Sequence, residues 1–256
     1  MGKANRFKQG LAEGRRLMGC WSSLASPTIA EILAGADLDW VVLDMEHGHG
    51  DLSDILAQLQ AMNGGRAHPI VRVPTNDRFV IRRLVDMGVD TVLVPMVGSA
   101  AEARHAVESA LYPPAGARGM AGSLRAASYG RWPNYLAEAN AGICVLIQIE
   151  SRAGLEHLDE IVAVEGLGGV VLGPADLSAS MGYVGQLSHP KVLEALRHVI
   201  GTAHKAGLPI GSIATDNKTI ETYLEMGMNF LAVASDTSTF VRALDDTLGR
   251  WRPRFS

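Results

Sequence analysis

The sequence predicts an α/β protein with a single domain, residues 1–256, folded as a (β/α)8 or TIM barrel. Eight short apolar runs alternate with longer helical patterns over 256 residues, close to the roughly 250 that eight β/α units usually occupy. The runs are almost continuously apolar, as expected for parallel strands covered by helices on both faces. A doubly wound open sheet is the alternative. It usually has a glycine-rich phosphate turn after its first strand, whereas "SSLASPT" contains no glycine.

The individual elements follow from these runs and from helix-capping residues. The predicted strands are residues 17–22, 39–44, 69–73, 91–95, 143–149, 169–173, 208–213 and 230–235. Among the helices, Ser26 is the predicted N-cap of a helix that starts with Pro27. Asp51 and Asp77 open the next two helical patterns, and Gly88 closes the second of them.

One segment is too long for an ordinary barrel connection. Residues 112–141, "YPPAGARGMAGSLRAASYGRWPNYLAEANA", separate the fourth and fifth predicted strands. Long loops of this kind are usually lids over a site or surfaces for a partner. We therefore expect this segment to shape the site or an interface between subunits.

Composition and charge exclude several classes of protein. The chain is 47% hydrophobic with a net charge of −4, so it lacks the basic excess typical of nucleic-acid binding. No apolar run approaches the roughly 20 residues of a membrane helix, and the N-terminus lacks the apolar core of a secretory signal. Cys20 and Cys144 fall in predicted strands, which predicts buried, unpaired thiols. Together these features predict a cytoplasmic protein.

Polar side chains occur at four of the predicted strands, at the points where the strands end. They are Asp44, Glu46 and His47 at the second strand, Arg72 at the third, Gln148 and Glu150 at the fifth, and Asp176 after the sixth. Barrel enzymes place catalytic groups at the carboxyl ends of their strands, and polar groups are costly to bury. The sequence therefore predicts a polar site at this mouth of the barrel.

Each of these residues also has a purely structural interpretation. Asp176 is suited to cap a short helix, and Glu150 to complement a helix dipole. Arg72 is suited to a structural salt bridge, and His47 to an exposed loop. The functional interpretation is favoured, because the predicted topology brings these four residues to the same rim of the barrel.

The candidate site offers carboxylates to a divalent metal ion. Glu150 and Asp176, on adjacent strands, provide two oxygen ligands of the kind that Mg²⁺ and Mn²⁺ prefer. No cluster of cysteine and histidine in the sequence favours zinc. His47 and His49 form a second candidate pair, made weaker by its loose spacing and the flanking glycines.

The positions of the lysines bear on the chemistry. The chain has five, namely Lys3, Lys8, Lys191, Lys205 and Lys218, and none lies in or directly after a predicted strand. A Schiff-base mechanism needs a buried lysine at such a place. Carbonyl chemistry here would therefore use a metal ion as the Lewis acid.

Six segments carry a resemblance that covers nearly the whole chain. They are "LDWVVLDMEHG", "PIVRVPTND", "LVPMV", "YPPAGARG", "VLIQIE" and "GVVLGPADLSASMGY". In these segments the chain resembles the HpcH/HpaI aldolase family, and in particular its class II, metal-dependent pyruvate aldolases.

The resemblance implies a fold, an activity and an assembly. The fold is a (β/α)8 barrel, and the cofactor is a divalent ion such as Mg²⁺, Mn²⁺ or Co²⁺. The activity is reversible cleavage of 4-hydroxy-2-oxo acids to an aldehyde and pyruvate or hydroxypyruvate, through a metal-bound enolate. The assembly is a hexamer, a trimer of dimers, in which C-terminal helices, here about 236–250, are exchanged between subunits.

The resemblance also implies the residues that bind substrate and metal. Glu150 and Asp176 match the metal ligands, and Gln148 matches a residue that contacts the bound 2-oxo acid. The backbone N–H groups of Ala175 and Asp176 match those that bind its carboxylate, which suits a helix N-terminus.

The catalytic residues follow from the same motifs. His47 matches the general base, and Arg72 matches the arginine that stabilises the enolate-like transition state. Asp86 matches an aspartate that raises the basicity of the histidine. Asp44 and Glu46 match carboxylates that hold water bound to the metal.

The position of Asp86 conflicts with a role in its own chain. The helix predicted at residues 77–87 descends roughly 15 Å from the mouth, at about 1.5 Å per residue, so Asp86 should lie far below His47. We therefore expect Asp86 to reach the histidine of a neighbouring subunit. The alternative is a structural aspartate, which needs a partner because a carboxylate is unfavourable at a helix C-terminus.

Three other functions are consistent with the sequence. A CoA-ester lyase of the citrate-lyase type is a relative, although the loops offer few lysines for CoA phosphates. A non-catalytic metabolite-binding barrel would bind without metal-dependent release of pyruvate. An oxaloacetate decarboxylase shares the enolate with an aldolase, so the sequence does not separate the two.

Overall fold

A computed structural model describes residues 4–255 and shows a closed barrel of eight parallel strands in sequence order, β1 pairing with β8. The strands are β1 (Leu17–Ser22), β2 (Trp40–Asp44), β3 (His68–Arg72), β4 (Thr91–Val94), β5 (Cys144–Ile149), β6 (Leu167–Leu172), β7 (Ile210–Ile213) and β8 (Phe230–Ser235). The predicted fold class is therefore confirmed, and the predicted strands overlap all eight.

Helices separate the strands and surround the barrel. They are α1 (Arg6–Ala12), α2 (Pro27–Gly35), α3 (Leu52–Ala61), α4 (Arg78–Asp86), α5 (Ala100–Ala110), α6 (Tyr135–Gly142), α7 (Arg152–Glu156), α8 (Leu158–Val162), α9 (Pro174–Ser180), α10 (Pro190–Lys205), α11 (Asn217–Glu225) and α12 (Asp236–Trp251). Two short 3-10 helices, Arg125–Gly130 and Arg252–Arg254, complete the elements.

The predicted capping residues start these helices. Ser26 accepts a hydrogen bond from the N–H of Ile29, and Pro27 is the first residue of α2. Asp51 and Asp54 form a capping box at α3, in which the side chain of each accepts a hydrogen bond from the backbone N–H of the other. These caps fix where each helix leaves the mouth of the barrel.

The barrel interior is filled by large side chains opposite glycines. A Cβ on Gly19 would lie 2.2 Å from the Trp40 ring, and one on Gly211 would lie 2.3 Å from the Phe230 ring. Phe7 of α1 packs edge-on against Trp40 and Phe230, with ring centroids 6.0 and 5.1 Å away. Helix α1 therefore closes the end of the barrel opposite to the mouth.

The long segment 112–141 is partly helical, because it contains the 3-10 helix Arg125–Gly130 and most of α6. Arg125 donates to the carbonyl of Met87, just beyond the C-terminus of α4. Helix α4 runs from the mouth to the opposite end, so the segment packs beside that far end. Within its own chain the segment therefore lies away from the mouth and does not cover it.

Helix α12 packs loosely on the rest of the chain. Asp236 is its one buried residue within the described part of the chain, whereas Phe240, Leu248 and Trp251 are 67%, 52% and 47% exposed. The two cysteines are buried and unpaired, as predicted. No helix among residues 4–255 is both long and apolar enough to cross a membrane.

Candidate active site

The ends of β2 and β3 hold an arginine in a fixed orientation. Asp44 and Arg72 are direct register partners on these neighbouring strands. Arg72 donates from Nε and Nη2 to the two oxygens of Asp44 at 2.9 and 2.6 Å, and its Nη1 lies 2.5 Å from Glu46 Oε2. The Trp21 ring lies 4.9 Å from the guanidinium carbon. A bidentate pair of this kind fixes direction as well as charge.

Asp44 is the centre of this arrangement. Its oxygens also accept from Trp21 Nε1 at 3.1 Å, from Ser23 Oγ at 3.3 Å and from the N–H of Glu46 at 3.0 Å. Burial by itself raises the pKa of Asp44, but the hydrogen bonds and charge of Arg72 outweigh it, and the pKa lies below its usual value. Asp44 is therefore ionised and committed to its protein donors, Arg72 above all.

A second acidic group lies at the end of β5. Glu150 is 1% exposed, and its two oxygens accept from the N–H of Met96 at 2.7 Å and from Gln148 Nε2 at 2.6 Å. Burial, reinforced by the charges of Glu46 and Asp176, raises the pKa of Glu150 to about 7. The N–H of Met96 and the charge of Arg72 lower the pKa of Glu150 but do not offset its burial.

Gly173 lets β6 approach this carboxylate closely. A Cβ at this position would lie 2.2 Å from Glu150 Oε2 and 2.8 Å from Gln148 Nε2. Helix α9 begins at the next residue, so Ala175 and Asp176 fall in its first turn, where backbone N–H groups have no intrahelical acceptor. The end of β6 therefore presents free N–H groups and the Asp176 carboxylate beside Glu150.

These residues are suited to a divalent cation. The carboxylates of Asp44, Glu46, Glu150 and Asp176 outnumber Arg72, and Gln148 Oε1 is buried with no hydrogen-bond partner among residues 4–255. Burial raises the pKa of Glu46 as well, against the charge of Arg72. A cation near Glu150 and Asp176 would offset this repulsion with oxygen ligands, as Mg²⁺ and Mn²⁺ prefer.

The candidate metal site contains few protein ligands. Among residues 4–255, no group of three or more histidine, cysteine, aspartate or glutamate side chains has metal-binding geometry. Glu150 and Asp176 would thus hold a cation with two ligands and leave its other positions to substrate and water. His47 and His49 are both exposed on the loop after β2 and form no such group.

The described lysines all lie in helices and none lies in a strand. Lys8 is in α1 at the closed end of the barrel, Lys191 and Lys205 are in α10, and Lys218 is in α11. Lys3 falls outside the described residues. Within residues 4–255, no lysine extends from the end of a strand, as a Schiff-base mechanism would need.

Asp86 is the last residue of α4, at the far end of that helix from the mouth. Its Oδ1 accepts from Arg118 Nη2 at 2.7 Å and from Nε at 3.2 Å. Arg118 is fully buried, lies 4.2 Å from the Tyr112 ring and donates to Tyr135 Oη at 2.9 Å. The structure thus gives Asp86 a rigid cationic partner in its own chain and does not bring it to its own His47.

The structure adds residues to the site that the sequence analysis missed. Trp21 and Ser23, at the end of β1, contact Asp44, and Met96 supplies the N–H that orients Glu150. Met96 has a left-handed backbone, with φ of 57°, which is uncommon for a residue with a side chain. Trp21 lies at the end of a predicted strand and Ser23 directly after it, which was an available signal for both.

A closed barrel with carboxylates and an arginine at its mouth defines a (β/α)8-barrel enzyme. The chain belongs to the HpcH/HpaI aldolase/citrate lyase family, whose model matches residues 17–243. It is 43% identical over 249 residues to a hydroxypyruvate/pyruvate aldolase of Roseovarius nubinhibens, covering 97% of both chains. It is 44% identical over 236 residues to a 5-keto-4-deoxy-D-glucarate aldolase of Citrobacter koseri, covering 92% of both.

A solved structure agrees with these matches. An HpcH/HpaI aldolase/citrate lyase family protein from Burkholderia cenocepacia superposes with a TM-score of 0.94 at 36% identity, covering 97% of this chain and 100% of that one. Two aldolases match this chain along nearly its whole length. The chain is therefore a carbon–carbon lyase of the aldolase type.

Proposed function

We propose that this enzyme is a divalent-metal-dependent aldolase that cleaves 4-hydroxy-2-oxo acids to an aldehyde and pyruvate or hydroxypyruvate. The observation that carries the proposal is Glu150, a buried carboxylate with a raised pKa beside Asp176 and Arg72. The names of the two aldolase relatives support the substrate class. The free thiols of Cys20 and Cys144 support a cytoplasmic location.

The mouth provides a binding site for the 2-oxo acid. The N–H groups of Ala175 and Asp176 would bind its carboxylate, because they lack intrahelical acceptors. Gln148 would contact the acid beside them. Glu150 and Asp176 would hold Mg²⁺, Mn²⁺ or Co²⁺, which when bound supplies a Lewis acid for the keto oxygen.

Arg72 and His47 would carry the proton and charge steps. His47 accepts the proton of the C4 hydroxyl, the C3–C4 bond breaks, and the aldehyde leaves. The electron pair of that bond remains on the three-carbon fragment as an enolate, and a proton from solvent at C3 then gives pyruvate. Arg72 stabilises the enolate oxygen with a charge that Asp44 and Glu46 already hold in place.

We propose that the active site is completed by a second subunit. Asp86 lies at the far end of α4 from its own mouth, yet Arg118 fixes only its Oδ1 and leaves Oδ2 without a hydrogen bond among the described residues. This oxygen would accept from His47 of a neighbouring subunit and raise the basicity of that imidazole. The exposed apolar side chains of α12 support exchange of this helix within a hexamer built as a trimer of dimers.

The activity is tested by assaying pyruvate and hydroxypyruvate with a panel of aldehydes, in both reaction directions and with each metal ion. We expect metal-dependent formation of 4-hydroxy-2-oxo acids and their cleavage back to the donors. Binding of the 2-oxo acid without turnover under every metal would contradict the proposal and favour a metabolite-binding barrel.

The shared site is tested by mixing two inactive chains, Asp86→Asn and His47→Ala. If the pair crosses subunits, about a quarter of the sites in evenly mixed oligomers are wild type at both positions, and activity returns in proportion. Mass spectrometry confirms that the mixed oligomers form. Mixed oligomers with only the activity of the parents would show that Asp86 acts within its own chain or has a purely structural role.

A further inference from the structure

A buried aspartate outside the proposed ligand set lies where β8 passes into α12. Asp236 is 8% exposed, and its Oδ2 accepts from Ser22 Oγ at 2.8 Å and from the N–H groups of Ser23 and Leu24, each at 3.0 Å. Its Oδ1 accepts from the N–H of Thr237 at 2.7 Å and from the N–H of Ser23 at 3.1 Å. Hydrogen bonds to a carboxylate are short and strong. Asp236 therefore ties three consecutive residues at the end of β1 to the first turn of α12.

The residue at the centre of this segment leads to the active site. Ser23 donates from Oγ to Asp44 Oδ2 at 3.3 Å. Its carbonyl also packs against the turn after β2, since a Cβ on Gly48 would lie 3.1 Å from it. Asp44 in turn holds Arg72 by two hydrogen bonds. The carboxylate of Asp236 is thus three hydrogen-bonded links away from the guanidinium.

We propose that Asp236 is a positioning residue for Arg72 and acts through Ser23 and Asp44. The inference rests on the proposed function, in which the charge of Arg72 meets the developing enolate. Small displacements of a preorganised charge cost catalysis even when the displaced group remains in the site. The hydrogen bonds of Asp236 do not reach Glu150, which lies at the end of β5, so metal affinity is independent of it.

The alternative is that Asp236 only anchors α12 and helps to close the barrel between β1 and β8. An anchor of that kind contributes to the stability of the fold, but its loss does not specifically change the position of Arg72. The two roles are distinguished by comparing variants at each link of the chain.

The variants are Asp236→Asn, Ser23→Ala and the double variant, with Thr237→Val as the control. Both oxygens of Asp236 accept from the N–H of Ser23, so replacing either one by the NH2 group of Asn removes a hydrogen bond to Ser23. Ser23→Ala removes only the hydroxyl that donates to Asp44. Thr237→Val removes a hydroxyl that contacts Oδ1 of Asp236, at 3.1 Å, on the side of α12.

The assay is exchange of the pyruvate methyl protons with D2O, followed by NMR, beside Mn²⁺ binding measured by EPR. We expect kcat for exchange to fall by similar factors, on the order of 10-fold, in Asp236→Asn and in Ser23→Ala, because both break the same path. Mn²⁺ affinity and the activity of Thr237→Val should stay within about twofold of wild type. Near-wild-type exchange in Asp236→Asn, or a parallel loss of Mn²⁺ affinity, would overturn the proposal.

The double variant provides a stricter test. If Asp236 acts through Ser23, adding Ser23→Ala to Asp236→Asn costs little more than Asp236→Asn alone, because both changes break one path. Losses that multiply would overturn the proposal. If Asp236→Asn does not fold, the test is the comparison of kcat for proton exchange in Ser23→Ala and in Thr237→Val. A wild-type kcat in Ser23→Ala would then contradict the path from Asp236 through Ser23 to Asp44.

A readout that needs no turnover separates this inference from the proposed function. The Nε–H signal of Arg72, identified in ¹⁵N-labelled protein by its loss in Arg72→Lys, reports the bond to Asp44. We expect it to shift and broaden in Asp236→Asn and to remain unchanged in Thr237→Val. An inactive wild-type protein would contradict the proposed function alone, whereas an unchanged Arg72 signal in Asp236→Asn would contradict the positioning role.

Discussion

The two ends of the barrel both bury polar side chains, but they differ in how those side chains are paired. At the mouth, Gln148 Oε1 has no hydrogen-bond partner in the described part of the chain, and burial raises the pKa of Glu150 to about 7. At the closed end, His68 Nε2 lies 2.8 Å from Asp90 Oδ1 and 2.9 Å from Thr91 Oγ1. The mouth thus contains a hydrogen-bond acceptor without a donor, whereas at the closed end donors and acceptors are paired with each other.

Helix α1 completes the closed end. Asn5 caps this helix and donates from Nδ2 to Thr91 Oγ1 at 2.9 Å and to the carbonyl of Gly142 at 2.9 Å. The Phe7 ring stacks near the His68 ring, with centroids 6.3 Å apart. A buried polar cluster in which each member finds partners stabilises a fold.

The difference separates stability from chemistry. Buried polar groups without partners cost free energy, so a fold keeps them where a ligand supplies what is missing. In barrels, the carboxyl ends of the strands carry catalysis and the opposite end carries stability. Changes at the mouth should therefore affect turnover, and changes at the closed end should affect unfolding.

The largest expected effect comes from removing the metal ion. Excess EDTA should abolish aldol cleavage, and Mg²⁺, Mn²⁺ or Co²⁺ should restore it, because the carboxylates of Glu150 and Asp176 need a cation to bring a 2-oxo acid beside them. The barrel itself should stay folded by circular dichroism. Full activity in EDTA, or a substrate adduct trapped on a lysine by borohydride, would contradict the metal-dependent mechanism.

The next largest effect is expected at Arg72. Arg72→Ala should lower kcat for pyruvate proton exchange on the order of 10²–10³-fold, since it removes a preorganised charge at the enolate oxygen. Arg72→Lys keeps the charge near Asp44 but loses the bidentate geometry, and it should be almost as slow. The control is Arg66→Ala, which breaks an exposed pair with Asp37. Equal losses of kcat in Arg66→Ala and Arg72→Ala would contradict the role of Arg72 in stabilising the enolate.

His47 should affect one reaction and spare another. His47→Ala should lower aldol cleavage about 10²-fold, because no base accepts the hydroxyl proton. Oxaloacetate decarboxylation, which has no hydroxyl proton to remove, should be retained. His49→Ala is the matched control, two residues away and also exposed. Parallel losses of both reactions in His47→Ala would show that His47 is not the base.

The sequence predicted the barrel well because local signals determine it. Apolar runs specify strands covered on both faces, and residues such as Ser26 and Asp51 start helices through side-chain contacts two or three residues away. The polar ends of the strands then fall at one rim by topology alone. The helix α6 was missed, because the apolar residues of "YLAEANAG" are spread around the helix and do not mark one face.

Other parts of the site depend on contacts between residues distant in sequence. Asp236 meets Ser22 across 214 positions, and Arg118 meets Asp86 across 32. No local pattern marks such a pair, since each residue by itself is consistent with an exposed loop or helix end. These two pairings were therefore not predicted from the sequence.

A smaller effect, on stability, is expected from Glu150 in the metal-free protein. Its pKa is about 7 when folded and near 4.5 when unfolded, so the folded state binds a proton more tightly. The free energy of unfolding should fall as pH rises from about 4.5 to 7, by about 3 kcal/mol, and stay level above that. Urea unfolding of wild type and Glu150→Gln in EDTA measures the difference. The same pH dependence in both would contradict the raised pKa.

The smallest expected effect on catalysis comes from the closed end. Thr91→Val preserves the shape of a fully buried side chain but removes the hydroxyl that Asn5 and His68 contact. It should lower the free energy of unfolding by about 1–3 kcal/mol, because buried partners lose a hydrogen bond. The measurements are urea unfolding, kcat and Mn²⁺ affinity, of which the last two should stay at wild-type values.

Thr222→Val is the matched control, since its hydroxyl contacts only the carbonyl of Lys218 on an exposed helix. Its free energy of unfolding should change by less than about 0.5 kcal/mol. If Thr91→Val instead slowed turnover as much as Ser23→Ala, the closed end would be coupled to the mouth through β4. The assignment of stability to one end and chemistry to the other would then be wrong, because a hydroxyl at the start of a strand would be controlling groups beyond its end.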